Sequence, residues 1–134
     1  MRDVVNNILA RVAIPATAIT TNTTVNGLVI DTQGMIGGGF LIQSATITDG
    51  TFTPVIKESD DPGMSGETDV PDLGLSVTEA SIAFVAADDN TVKKINVENS
   101  KRFITIDIGS TAVTTGGTIG ATYVAMPSQL PAGT

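Results

Sequence analysis

The spacing of apolar and polar positions changes once near the start of the chain and then keeps a new period. Val4, Val5, Ile8, Leu9 and Val12 fall at helical spacing, which predicts one apolar face on a short N-terminal segment. Pro15 ends any such helix, because its ring disfavours the α conformation in the residue before it. Residues 2–13 therefore read as a short amphipathic helix or as an arm that docks on a neighbour, within an N-terminal unit of residues 1–19. From Thr20 onward the period is two. Ile104, Ile106 and Ile108 alternate with Phe103, Thr105 and Asp107 in the clearest such run.

Strands are predicted over 24–31, 40–47, 51–58, 78–86, 92–97, 102–108 and 118–126, with a further short one near Thr68-Asp69-Val70 inside a long loop. A phase slip after Ile42 predicts a β-bulge near Gln43-Ser44. Asp49-Gly50 predicts a hairpin turn into 51–58, and Pro54 places that strand at an edge or bulge. The strands 92–97 and 102–108 are expected to form a second hairpin across Glu98-Asn99-Ser100. Turn signals recur about every ten residues and no βαβ alternation occurs. The expected fold is all-β, an antiparallel sandwich or barrel of seven or eight short strands. A jelly-roll-like β-sandwich over 20–126 is preferred, with a C-terminal tail at 127–134.

Composition narrows the chemistry. With 134 residues the chain fits one domain, and with four Phe, one Tyr and no Trp its core must be Val, Ile, Leu and Ala. It has no histidine and no cysteine, which removes the usual neutral-pH base, thiolate catalysis and Cys-type zinc sites. No enzyme, cofactor or small-molecule substrate is expected. A net charge of −7 repels phosphate backbones, so no nucleic-acid partner is expected. No stretch approaches the ~20 apolar residues that span a bilayer, so no membrane partner is expected either. The segment up to Ile14 is interrupted by Asp3, Asn6, Asn7 and Arg11 and does not read as a signal peptide.

Three clusters remain as candidate sites. Glu58, Asp60, Asp61, Glu67, Asp69, Asp72 and Glu79 form an acidic stretch. Its carboxylates suit calcium, but the spacing lacks the regular ligand ladder, so a solvated loop is favoured. Lys93, Lys94, Lys101 and Arg102 place basic groups at the ends of the expected second hairpin, either as a partner contact or as edge-strand protection. Gly34-Met35-Ile36-Gly37-Gly38-Gly39 lacks the Lys-Ser/Thr pair and helix of a phosphate loop and reads as a flexible turn. The partner-binding candidates are thus Val4, Val5, Ile8, Leu9 and Val12 together with Lys93, Lys94, Lys101 and Arg102.

The order of turn-and-strand motifs resembles a family of small structural proteins of tailed phages and prophages. The runs are Val29-Ile30-Asp31-Thr32-Gln33-Gly34, Ile47-Thr48-Asp49-Gly50-Thr51-Phe52-Thr53-Pro54-Val55, Glu58-Ser59-Asp60-Asp61, Ala87-Asp88-Asp89-Asn90-Thr91-Val92-Lys93-Lys94-Ile95 and Thr114-Thr115-Gly116-Gly117-Thr118. The chain departs from the family at Ser65-Gly66-Glu67-Thr68, where relatives carry a Trp, and after Met126. The resemblance implies a virion protein made in the bacterial cytoplasm, a capsid decoration (cement) protein on the outer surface of the head. Its partners would be the major capsid protein and other copies of itself, a trimer being favoured. A tail or head–tail connector component is the first alternative. A carbohydrate-binding sandwich, with Tyr123 as its one aromatic platform, is the second.

Overall fold

The computed structural model describes residues 4–127 of the chain. Nine strands build it: β1 Leu9–Ile19, β2 Thr24–Val25, β3 Ile30–Asp31, β4 Met35–Ile47, β5 Thr51–Ser59, β6 Thr68–Asp69, β7 Val92–Val97, β8 Phe103–Thr111 and β9 Gly117–Pro127. They form two antiparallel sheets, one in the order β1-β9-β4-β7 and one in the order β2-β8-β5-β6, with β3 also paired to β8. With β2 and β3 counted as one interrupted strand, the eight strands follow the orders 1-8-3-6 and 2-7-4-5, which is the connectivity of a jelly roll. The all-β sandwich expected from the sequence is the observed fold. The core is not the purely aliphatic one expected: Ile42, Ile56, Ile104, Ile106, Ile108 and Ile119 fill the space between the sheets together with Phe40, Phe52 and Phe84, its largest fully buried side chains.

The N-terminal expectation is corrected. Within 4–13 the only helical piece is a single 3-10 turn, Val5–Asn7, and Leu9 onward is an edge strand paired to β9. Residues 9–19 therefore belong to the sandwich and are not a separate arm. The register slips between Val12 and Ile14 and again between Ile14 and Thr17. The helical spacing has another origin: Val4 and Val5 belong to the 3-10 turn, and Ile8 and Val12, four residues apart, share a face in a strand as they would in a helix. Pro15 lies within the second slip on an edge strand, where its missing N–H removes no ladder bond.

Both expected hairpins are crossovers between the sheets. β4 pairs with β7 and β9, while β5 pairs with β8 and β6; likewise β7 pairs with β4, and β8 pairs with β5. Gly50, at φ +95°, makes the tight turn that its sequence signalled, but the chain changes sheet there. The strand expected over 24–31 is split into β2 and β3 by Gly27, whose missing Cβ would lie 2.2 Å from the Ile106 carbonyl oxygen and 3.1 Å from that of Ala13. Residues 78–86 are not a strand; a 3-10 turn, Glu79–Ile82, leads to one bridge between Phe52 and Phe84. Of the glycines read as a turn, Gly34 does turn, at φ +82°, while Gly37, Gly38 and Gly39 belong to β4: a Cβ on Gly38 would strike the Tyr123 side chain and one on Gly39 the Ile95 carbonyl.

Other expectations hold. The β4 register slips between Ser44 and Ile47, within two residues of the predicted bulge. β6 forms at Thr68–Asp69. Phe52 and Ile56 direct their N–H groups away from β8, to the Phe84 carbonyl and the Glu79 carboxylate. The edge or bulge expected from Pro54 is corrected: β5 lies between β8 and β6 with unbroken register, but β6 pairs only with Lys57 and Glu58, and Pro54 has its nitrogen on that sparsely paired side.

Candidate interaction surface

The carboxylates are mostly occupied in fastening loops. Asp49 accepts from the N–H groups of Thr114, Thr115 and Gly116 at 2.9, 3.0 and 2.9 Å, and these bonds hold its carboxyl below the usual carboxylate range. Glu58, only 3% exposed, accepts from the Ser100 N–H at 2.8 Å, the Ser100 hydroxyl at 2.9 Å and the Lys101 N–H at 3.4 Å. Asp88 accepts from the Val85 N–H, which lowers its carboxyl. Glu79 is pushed up by burial although it accepts from the Ile56 N–H. Three buried serines act alongside them. Ser44 donates to the Asp88 carbonyl, Ser59 to that of Ser65, and Ser110 to those of Thr21 and Thr23.

The acidic stretch is accordingly dispersed. Glu58 points inward, Asp61 accepts from the N–H groups of Gly63 and Ser65 in its own loop, and Glu67 pairs with Lys57 at 3.0 Å. Among the described residues no group of three or more such side chains is arranged to hold a metal ion.

The four basic candidates do not form one patch. Lys93 pairs with Asp88 at 3.1 Å, donates to the Ala83 carbonyl and rests over the Phe84 ring. Lys101 donates to the Thr68 hydroxyl. Arg102 grips Asp31 through two bonds of 2.8 and 2.7 Å, and with the Gln33 N–H it holds the Asp31 carboxyl at about 2, down from 3.8. Only Lys94 stands clear of these pairings, on the outward side of β7 beside Leu41.

That outward side is the feature that sequence reasoning missed. Cross-strand register aligns Val12, Thr122, Leu41 and Lys94 in one row across β1, β9, β4 and β7. Ala10, Val124, Gly39 and Asn96 make the next row, and Gly120, Gln43 and Val92 a third. Val12 is 54% exposed, Leu41 39% and Val92 59%. None of the four strands carries an Asp or Glu, in a chain with fourteen. Lys94 is the one charged side chain in these rows. Two shallow grooves cross the face. One is lined by Ala10, Val12, Ala45, Val92 and Gly120, the other by Gly39, Val77, Lys94 and Met126, and Ile8, Leu41 and Val124 border both.

The N-terminal candidates divide accordingly. Ile8 and Val12 lie on this face, Leu9 is half-buried at its edge on the opposite side of β1, and Val4 and Val5 are exposed beyond the strand. Tyr123 cannot serve as a carbohydrate platform. Its ring is 2% exposed and packs edge-on against Phe40 at 5.4 Å, and burial raises its hydroxyl. The four phenylalanines are buried too. Comparison of the chain with protein-family models, with curated proteins and with solved structures yields no match.

Proposed function

We propose that this chain is a structural protein of a tailed-phage virion, a decoration protein that binds the outer surface of the head and stiffens the coat-protein lattice. One observation carries the reading: the molecule is divided into an acid-free, largely apolar sheet face and an acidic remainder. A contiguous apolar face of this extent on a small domain marks a protein contact. The acidic remainder keeps the exposed side soluble. The fastened loops suit the same role, since a rigid body bridges subunits without an ordering cost on binding. Together with the resemblance in motif order, these features favour an assembly component over a catalyst.

Immunogold labelling of purified particles with antibody against the chain tests the proposal. Gold on the heads is expected. Gold confined to tails, or particles without the chain, would overturn it.

A further inference from the structure

The outward face of β1-β9-β4-β7 marks the chain as an assembly component without saying which protein covers it, and its charge points to a second copy of this chain. Each copy carries a net charge of −7. Two like-charged copies approach at least cost through the surface that holds no acid. The apolar side chains extend across the whole face: Val12 and Val92 stand out at its two edge strands, with Leu41 and Val124 between them. Under a twofold axis the rows of one copy meet the same rows of the other, so each apolar side chain finds an apolar partner. Face-to-face stacking of aligned sheets is an established way to bury such rows.

The area is adequate. Strands about 4.8 Å apart, rising about 3.4 Å per residue, give these four a face on the order of 650 Å², close to the ~800 Å² per partner of a standard stable interface. Lys94 does not oppose the contact. It lies on the edge strand β7, so its stem covers apolar surface while its amine stays in water at the rim. The N-terminal segment that would have tied a trimer is instead a strand of the chain's own sheet from Leu9 onward.

We infer that the chain pairs with a second copy through the outward face of β1-β9-β4-β7, about a twofold axis, with Leu41 and Val124 at the centre. This rests on reading that face as a protein contact, not on the chain's belonging to a virion.

Sedimentation velocity of the full chain tests it. A two-copy mass is expected at tens of micromolar. Leu41→Asp, which sets an unpaired charge at the centre in each copy, is expected to weaken pairing roughly 100-fold or more. Leu73→Asp, at a side chain 98% exposed but outside these rows, is expected to leave the mass unchanged. Circular dichroism checks the fold of each variant, and Val12→Asp on the exposed edge strand replaces Leu41→Asp should the latter not fold. A single-copy mass for the wild type, a folded face variant that still pairs, or a trimer would each overturn the inference. None of these results depends on the particle labelling.

Discussion

Glu58 is the most exacting test of how the two sheets are held together. Its carboxylate sits on the inward side of β5, 3% exposed, and reaches the connection by which β7 leaves one sheet and β8 enters the other. Two of its bonds are short, 2.8 and 2.9 Å, and the third, to the Lys101 N–H, is long at 3.4 Å. A bond to a charged group contributes roughly 1.5–3 kcal/mol against 0.5–1.5 for a neutral one. Glu58→Gln can keep the pattern. Its oxygen takes the place of Oε2 and accepts both backbone N–H groups, while its amide donates to the Ser100 hydroxyl, which turns to accept. Only charge assistance is lost, and the relief of a buried charge offsets part of that, so a cost of about 1 kcal/mol is expected. Glu58→Ala removes every acceptor, leaves the N–H groups unpaired and opens a void, at a cost of about 3–4 kcal/mol. For a domain of this length that is a fall of roughly 10–15 °C in Tm, against 3–4 °C for Gln. Thermal and urea unfolding at neutral pH measure both. Equal losses for Gln and Ala, or an Ala loss below about 1 kcal/mol, would refute the clamp.

Two further outcomes follow from the same geometry. Gly27→Ala brings a Cβ against backbone oxygens of both sheets, and since neither can retreat without breaking its own ladder, a loss of about 3 kcal/mol is expected in urea unfolding. An unchanged midpoint would show that the 25–30 segment has room to move. Asp31 is lowered to about 2 from 3.8 by Arg102 and the Gln33 N–H, so its contribution is present above pH 3.8 and is lost as the pH falls toward 2. The melting temperature of the wild type should therefore fall more steeply across that window than that of Asp31→Asn; superimposable profiles would count against it.

Much of the fold is legible in the sequence because it is encoded locally. The alternation of Ile104, Ile106 and Ile108, the turns at Gly34 and Gly50, the slip after Ile42 and the position of Pro54 each report their own surroundings. Sheet membership is not local. Asp49-Gly50 announces a turn but not which sheet follows, and that is settled by partners far along the chain. Asp49 fastens Thr114 65 residues on, and Glu58 fastens Ser100 42 residues on. At the N-terminus Ile8 and Val12, four residues apart, share a face in a strand as in a helix, and the 3-10 turn before Leu9 completes the disguise. The contact face is assembled from four distant segments, so no window of sequence contains it. One signal was nonetheless present: an acid-rich chain with four long or apolar segments that contain no Asp or Glu at all.

That distribution of charge makes the ionic-strength dependence of pairing diagnostic. If copies meet through the acid-free face, no ion pair joins them, and the only long-range electrostatic effect is repulsion between two bodies of charge −7. With centres about 25 Å apart in water, that repulsion is roughly 8 kcal/mol unscreened. Screening lengths of about 30 Å at 0.01 M and 8 Å at 0.15 M salt reduce it to roughly 3.5 and 0.4 kcal/mol. The difference of about 3 kcal/mol corresponds to roughly a 100-fold tighter pair at the higher salt. The acids lie away from the contact and the charge is spread over each body, so these are upper values, but the sign does not depend on them. A contact built on Lys94 meeting a carboxylate behaves in the opposite way and weakens as salt is added. Sedimentation equilibrium at both salt concentrations separates the two, and a dissociation constant that rises with salt would mean that charge, not the apolar rows, brings the copies together.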